Sequence, residues 1–342
     1  MNQDEIYRHS PETRRRITDI FSREEVRHLT ARSDLRGAWL ILSTWLVIAA
    51  AFALIAWAVG QPLLLAVPLV TVGVAVLGGR QLALAIITHE ATHRTLFKTR
   101  WANDGLTDWL CARPIGLDLA KYRAHHFIHH ARTGTDEDSD ISLIQGLPTT
   151  RMSLVRKFAR DLAGLTGVKY LIGLALMNAG VIRWTVASDV ERLPRNGRHA
   201  GQYLLAFLRN SLPTLITNGI LFGVLWMLGM PWLYLAWLGA YLSPYPFFLR
   251  VRALAEHAAT ERTTDMFRNT RTTRAGWLAR SFVAPCHVNF HIEHHAMAAV
   301  PWFRLPEAHR LLRARQVVPE PPGYWQVMQR VSSRQAPQSS LS

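Results

Sequence analysis

The stretch LLLAVPLVTVGVAVLGGRQLALAIITHEATH, residues 63–93, decides how the rest of the chain is read. Residues 63–79 carry no charge, Arg80 interrupts the run once, and apolar character resumes to Ile87 before the run ends on His89. A helix rises ~1.5 Å per residue, so about 20 apolar residues cross the ~30 Å hydrocarbon layer of a bilayer. The run therefore predicts one helix that crosses a membrane over 63–87 and continues into water on the far side. Its wet end reads His89-Glu90-Ala91-Thr92-His93. Helical positions four apart share a face, so His89 and His93 can grip one metal ion together.

Outward from this helix, residues 37–60 are also uncharged and rich in Leu, Ile, Ala and Trp, and Gln61-Pro62 supplies the turn between the two runs. A second such pair lies at 211–229 and 232–249, joined at Met230-Pro231. Pro213, Pro244 and Pro246 fall near the ends of these runs, where a broken helix costs least. Arg250 and Arg252 mark the exit. The expected fold is an all-α integral membrane protein: four transmembrane helices in two hairpins, with a cytosolic helical cap that carries the histidines. Any one run could be a buried core helix, but four long runs with so few charges argue for a membrane. Residues 170–182 are apolar between Lys169 and Arg183 and too short to span, so they are expected to form an interfacial helix.

Composition agrees. Of 342 residues 49% are hydrophobic and 18% charged, yet 39 Lys+Arg against 24 Asp+Glu leave a formal charge of +15. A soluble domain carries about 25% charged residues, so here apolar and basic residues must sit in different places. Disorder of the whole chain is excluded by its hydrophobicity, and two cysteines exclude a disulfide framework. The turns at 61–62 and 230–231 carry no Lys or Arg, whereas the flanking segments carry nearly all of them. Positive charge stays on the cytoplasmic side, which puts both termini and the histidines in the cytoplasm. The charge is thus topological, and no interleaved aromatic pattern supports nucleic-acid binding. The segment 1–36, with Arg14, Arg15 and Arg16, is too long and polar for a signal peptide. Residues 37–331 form the membrane domain, and the Ser/Gln/Pro-rich 332–342 are expected to be disordered.

Two further histidine groups follow the first. In YRAHHFIHH (122–130), His126, His129 and His130 fall at i, i+3, i+4, and His125 points away. In NFHIEHH (289–295), His291, His294 and His295 repeat that spacing. A solvated helix face would explain one such group, but three beside predicted membrane segments on one side call for a metal. A tetrahedral zinc takes four ligands at most, so eight imidazoles suit two ions of higher coordination. Imidazole accepts Fe, Zn, Cu or Ni, which leaves the metal open on ligand type alone; a redox pair beside lipid favours iron and dioxygen. Glu256-His257, alone after the last apolar run, is by spacing equally a structural pair.

These motifs resemble the membrane fatty acid desaturase family of integral-membrane di-iron desaturases and hydroxylases. The resemblance spans about residues 35–330. It rests on HEATH (89–93), HHFIHH (125–130), RALAEHA (252–258) with NTRTT (269–273), and NFHIEHH (289–295) followed by VPWFRLPEAHRLL (300–312). It implies a helical membrane anchor with a cytosolic cap holding two Fe ions, and ligands at His89, His93, His126, His129, His130, His257, His291, His294 and His295. Asn289 would then sit beside the metals; its other reading is capping the third histidine helix. Three residues separate the histidines of the first box, as in acyl-lipid and sphingolipid types, and the third box begins with His291 rather than Gln, unlike the front-end desaturases. The implied reaction is O2-dependent insertion of a C=C bond into a lipid acyl chain. No haem segment, cysteine cluster or GxGxxG motif is present, so no bound haem, flavin or nicotinamide is expected and electrons would come from a separate ferredoxin-like or cytochrome b5-like donor. The basic cytosolic face suits an acidic donor.

Glu90 and Glu293, within the boxes, are expected to orient ligand imidazoles or else to be solvated. Asp136, Glu137, Asp138 and Asp140 stand in the same position after the second box, and Tyr122, Arg123 and Trp302 are candidates for the substrate entrance. Competing readings are a lipid hydroxylase on the same metals, a membrane zinc metalloprotease built on His89, Glu90 and His93, and a non-catalytic lipid binder.

Overall fold

Local capping starts several of the helices that matter. Ser33 accepts a hydrogen bond from the Arg36 amide and opens α1, Asp34–Val59; Asp118 accepts from the Lys121 amide, and Thr150 caps a third helix in the same way. A short side-chain acceptor at that position satisfies an amide the helix itself cannot. The computed structural model describes residues 17–187 and 189–334. Among the described residues the fold is all-helical, with only isolated bridges between extended segments. The expectations for Arg14, Arg15, Arg16 and for 335–342 lie outside the described residues, while Ser333 at the start of the expected tail pairs with Thr150.

Helix α2, Leu63–Thr92, is continuous through Arg80, as the opening stretch predicts. Arg80 is absorbed because its guanidinium donates to the Ser281 carbonyl, so a lone charge does not end the helix. From Leu77 onward nearly every residue of α2 is buried, whereas Leu63, Leu64 and Val67 stand exposed. One half of this helix is core and the other a bare apolar surface. α1 packs along it through Ile48 and Ile55, and its outer face shows Trp39, Leu42, Leu46 and Trp57.

The chain then forms α3 (Leu119–Arg132), α4 (Arg151–Leu162), α5 (Leu165–Asn178), α6 (Ala200–Met227), α7 (Leu233–Leu242), α8 (Pro244–His257), α9 (His291–Ala296), α10 (Leu305–Ala314) and α11 (Tyr324–Val331). Here the four-helix expectation needs correction. Among the described residues two helical stretches, Arg23–Val59 and Leu63–Thr92, are long and apolar enough to cross a membrane, not four. α6 has the length but carries Arg209, Asn210, Thr214, Thr217 and Asn218. The expected span 232–249 is broken: α7 stops at Leu242, Ser243 leaves helical geometry, and Pro244 starts α8. Proline has no amide to continue α7 and its ring clashes with the preceding turn.

That break lets α8 come against α2. A Cβ on Gly78 would lie 2.8 Å from Pro244 Cγ and 3.0 Å from the Tyr245 amide. Only a glycine admits so close an approach, and it sets the direction in which α8 runs to His257. A second cluster, Leu29, Ile292, Val300, Leu305 and Leu312, holds α9 and α10 to the N-terminal segment.

Candidate metal centre

Four elements converge on one point. α2 ends in His89 and His93, α3 presents the second histidine group, α8 ends in His257, and α9 carries the third. All nine histidines singled out above come together in two groups. His89, His93, His126, His130 and His294 form one, and His129, His257, His291 and His295 the other; within each, one nitrogen per residue lies within 4.8 Å of the rest. The groups abut, with the rings of His130 and His295 stacked at 4.1 Å across the boundary. His125 is buried but outside both, its Nε2 2.7 Å from Asp140 Oδ1.

The donor set fits metal ions. His93 Nε2 lies 2.8 Å from His126 Nε2, and His257 Nε2 lies 2.8 Å from His291 Nε2. Two nitrogens bound at right angles to one ion, each at about 2.1 Å, stand at about this separation. His89 Nε2 and both nitrogens of His295 are buried without any partner among the described residues, as are the Nδ1 atoms of His257, His291 and His294 on the far side of their rings. Buried polar atoms are nearly always satisfied, so the unpartnered nitrogens of His89 and His295 need something the chain itself does not provide. Burial holds His126, His257, His291, His294 and His295 well below the ordinary imidazole pKa, and neighbouring histidines push further down. They are therefore neutral at pH 7, the form that ligates.

His129 differs. Burial lowers its pKa, but the hydrogen bond to Asp138 and the charges of Asp138 and Asp140 outweigh it and the net shift is upward. Its Nδ1 donates to Asp138 Oδ1 at 2.7 Å, which fixes the ring and leaves Nε2 for the cluster. Asp138 also accepts from the Asp140 amide. Of the four acidic residues after the second group, only these two reach the site; Asp136 pairs with Arg262 and Glu137 with Arg132 at the surface.

Glu90 and Glu293 are both buried, so neither is a solvated surface carboxylate. Glu90 Oε1 is 3.3 Å from His89 Nδ1, while its Oε2 accepts from Thr95 and from the Trp302 amide. Glu293 turns away from the ligand rings: it accepts from His309 Nδ1 at 2.6 Å and from the Thr272 hydroxyl. Thr272 Oγ1 also accepts from the Ile292 amide, so it, and not Asn289, caps α9. Asn289 donates to the Thr273 carbonyl and its Oδ1 is buried and unpartnered. Glu256 accepts from Arg252 at 2.8 Å and lies 3.7 Å from His291. Arg123 grips the Ala91 and Thr92 carbonyls and so closes the end of α2; Tyr122 stacks on His126.

His309 and Thr272 both lie in the quoted motif stretches, 300–312 and 269–273, with no role expected for either. No spacing rule could have found either, because both act on a carboxylate from other parts of the chain.

A family model described as fatty acid desaturase matches residues 65–327. Among curated proteins, the chain is 24% identical over 264 residues to an sn-1 oleoyl-lipid 12-desaturase of Synechocystis sp., covering 73% of this chain and 70% of that protein. It is 24% identical to the protein of that name from Anabaena variabilis, covering 64% of this chain and 62% of the relative. Similarity of 25% extends to a dihydrorhizobitoxine desaturase of Bradyrhizobium elkanii, covering 70% and 66%.

Proposed function

The chain belongs to the fatty acid desaturase family and is an oxidoreductase of the desaturase type, and on that premise we propose that it inserts a C=C bond into the acyl chain of a membrane lipid at a di-iron centre. The observation that carries this reading is the convergence of nine imidazoles in two abutting groups. The proposed ligands are His89, His93, His126, His130 and His294 for one ion and His129, His257, His291 and His295 for the other, with Asn289, Glu90 and Glu293 outside them. Bound iron supplies, with O2 and electrons, the oxidising power to remove hydrogen from unactivated methylenes, which no acid or base side chain can do.

The chain's own contribution is placement and exclusion of water. Asp138 holds the Nδ1 proton of His129, Glu90 faces that of His89, and Arg123 keeps the end of α2 in register with α3. The walls are buried helix ends, so the reacting carbon pair would be held in a dry setting. Domain limits remain those of the sequence, with a membrane domain over 37–331. α1 and α2 would cross the bilayer, and α6 with the broken α7–α8 pair would enter it beside them. Both termini and the histidines would then face the cytoplasm. Electrons would come from a separate ferredoxin-like or cytochrome b5-like protein.

Lipid profiling of a host making the wild-type chain or His129→Ala, with iron measured in both proteins, tests the proposal. Wild type should yield lipids lighter by two hydrogens and the variant none. Products heavier by one oxygen would replace desaturation with hydroxylation. A second reading, favoured by the similarity to the dihydrorhizobitoxine desaturase, is a substrate that is not a lipid-linked acyl chain; an unchanged lipid profile from an iron-loaded wild type would select it.

A further inference from the structure

Helix α4 has three stripes. Leu154 and Asp161, seven positions apart, point into the fold, and Asp161 is held there by Arg250 and Thr166. Met152, Val155, Ala159 and Leu162 share a second stripe, and the three larger side chains are 63%, 58% and 51% exposed. Arg156, Lys157 and Arg160 share the third. With Ser153 and Ala159 they form one open face of this single helix.

These cations are unspent. Among the described residues no carboxylate pairs with Arg156 or Arg160, which are exposed, or with the half-buried Lys157. The pKa of Lys157 is lowered by burial and by the neighbouring charges of Arg250 and Arg160. Like charges kept together without a counter-ion cost free energy, so this face attracts an anion. The exposed apolar stripe beside it says which kind. It continues across Gly164 into α5, where Leu165, Val168 and Ile172 are 61%, 46% and 57% exposed. An uncovered apolar stripe running alongside a basic one suits a helix lying at a membrane surface, its apolar side among acyl chains and its cations among headgroups.

We propose that the basic stripe of α4 binds the phosphate of an anionic phospholipid whose acyl chains lie along the apolar stripe of α4 and α5. This rests on the reading of the chain as a membrane protein. An acidic electron donor is the rival occupant, disfavoured because the bare apolar stripe continues onto a second helix.

The test places the full-length protein in phosphatidylcholine nanodiscs containing a minor share of phosphatidylglycerol, and native mass spectrometry reads which lipid stays bound after release. Wild type should retain phosphatidylglycerol in excess of its share. Arg156→Gln/Lys157→Gln/Arg160→Gln should lower that excess by about tenfold or more, with helix content and iron content unchanged. If the triple variant misfolds, Arg156→Gln and Arg160→Gln singly should each give a partial loss. Equal retention by wild type and variants overturns the proposal. Displacement of the lipid by millimolar inorganic phosphate also overturns it, assigning the stripe to a free anion. Slower reduction by an acidic donor with lipid retention intact would hand the stripe to that protein. Failure to enter nanodiscs at all would overturn the membrane reading and this proposal with it.

Discussion

The two histidine groups are held in place differently. In the group of His129, His257, His291 and His295, Asp138 stands behind the His129 ring at 2.7 Å, and Glu256 lies 3.7 Å from His291 Nε2, on the cluster side of that ring. In the group of His89, His93, His126, His130 and His294, only Glu90 touches a ring, at 3.3 Å, and the rest is imidazole against imidazole. One site is braced by charge and the other by packing on α2. The difference predicts that the first group will respond to loss of neighbouring negative charge and the second to loss of helix position.

The largest expected effect removes ligands themselves. His126→Ala and His295→Ala take one from each group. Losing a carboxylate behind a ligand typically costs 10–100-fold in metal affinity, and losing the ligand should exceed that. Each variant should fall from about two bound irons toward one or fewer, with desaturation lost by roughly two orders of magnitude. Iron analysis beside product assay checks this, and full iron in either variant would dissolve the division into two groups.

Next, Asp138→Asn should lower affinity for one iron by about 10–100-fold and leave the other in place. A competitive chelator titration should become biphasic where the wild type loses its irons over a narrower range. Glu90→Gln should do less, about tenfold at most on the same reasoning, because the longer contact to His89 is shared with bonds to Thr95 and the Trp302 amide. If Glu90→Gln proves the more damaging of the pair, the contrast between charge-braced and packing-braced sites is wrong.

How much of this was readable beforehand follows from where the information sits. The i, i+3, i+4 histidine spacing and the uncharged run into HEATH are local, and each placed its residues on a helix of the right face. Even Arg80 did not mislead, since the helix survives it. The second apolar pair misled because hydropathy counts residues and not breaks: Ser243-Pro244 divides one apolar run into α7 and α8, and the break aims His257 at the site. His309, Thr272 and the Trp302 amide were illegible because their partners Glu293 and Glu90 lie 16, 21 and 212 residues away. A sequence pattern records which residues can face one another along one helix, not which carboxylate a loop will cover.

His309 gives the smallest and most even-handed perturbation. Its Nδ1 donates to Glu293, a buried residue of α9, and α9 supplies His294 to one group and His291 with His295 to the other. His309→Gln keeps a donor within reach and should cost about 1 kcal/mol of stability, the typical worth of one hydrogen bond. His309→Leu removes the donor and leaves a buried carboxylate holding Thr272 alone, at about 1–3 kcal/mol. Because α9 serves both groups, thermal unfolding should shift while the chelator titration keeps its wild-type shape, in contrast to Asp138→Asn. A biphasic titration from either substitution at His309 would mean that Glu293 braces one group in particular, and the packing-braced site would then have a charge behind it after all.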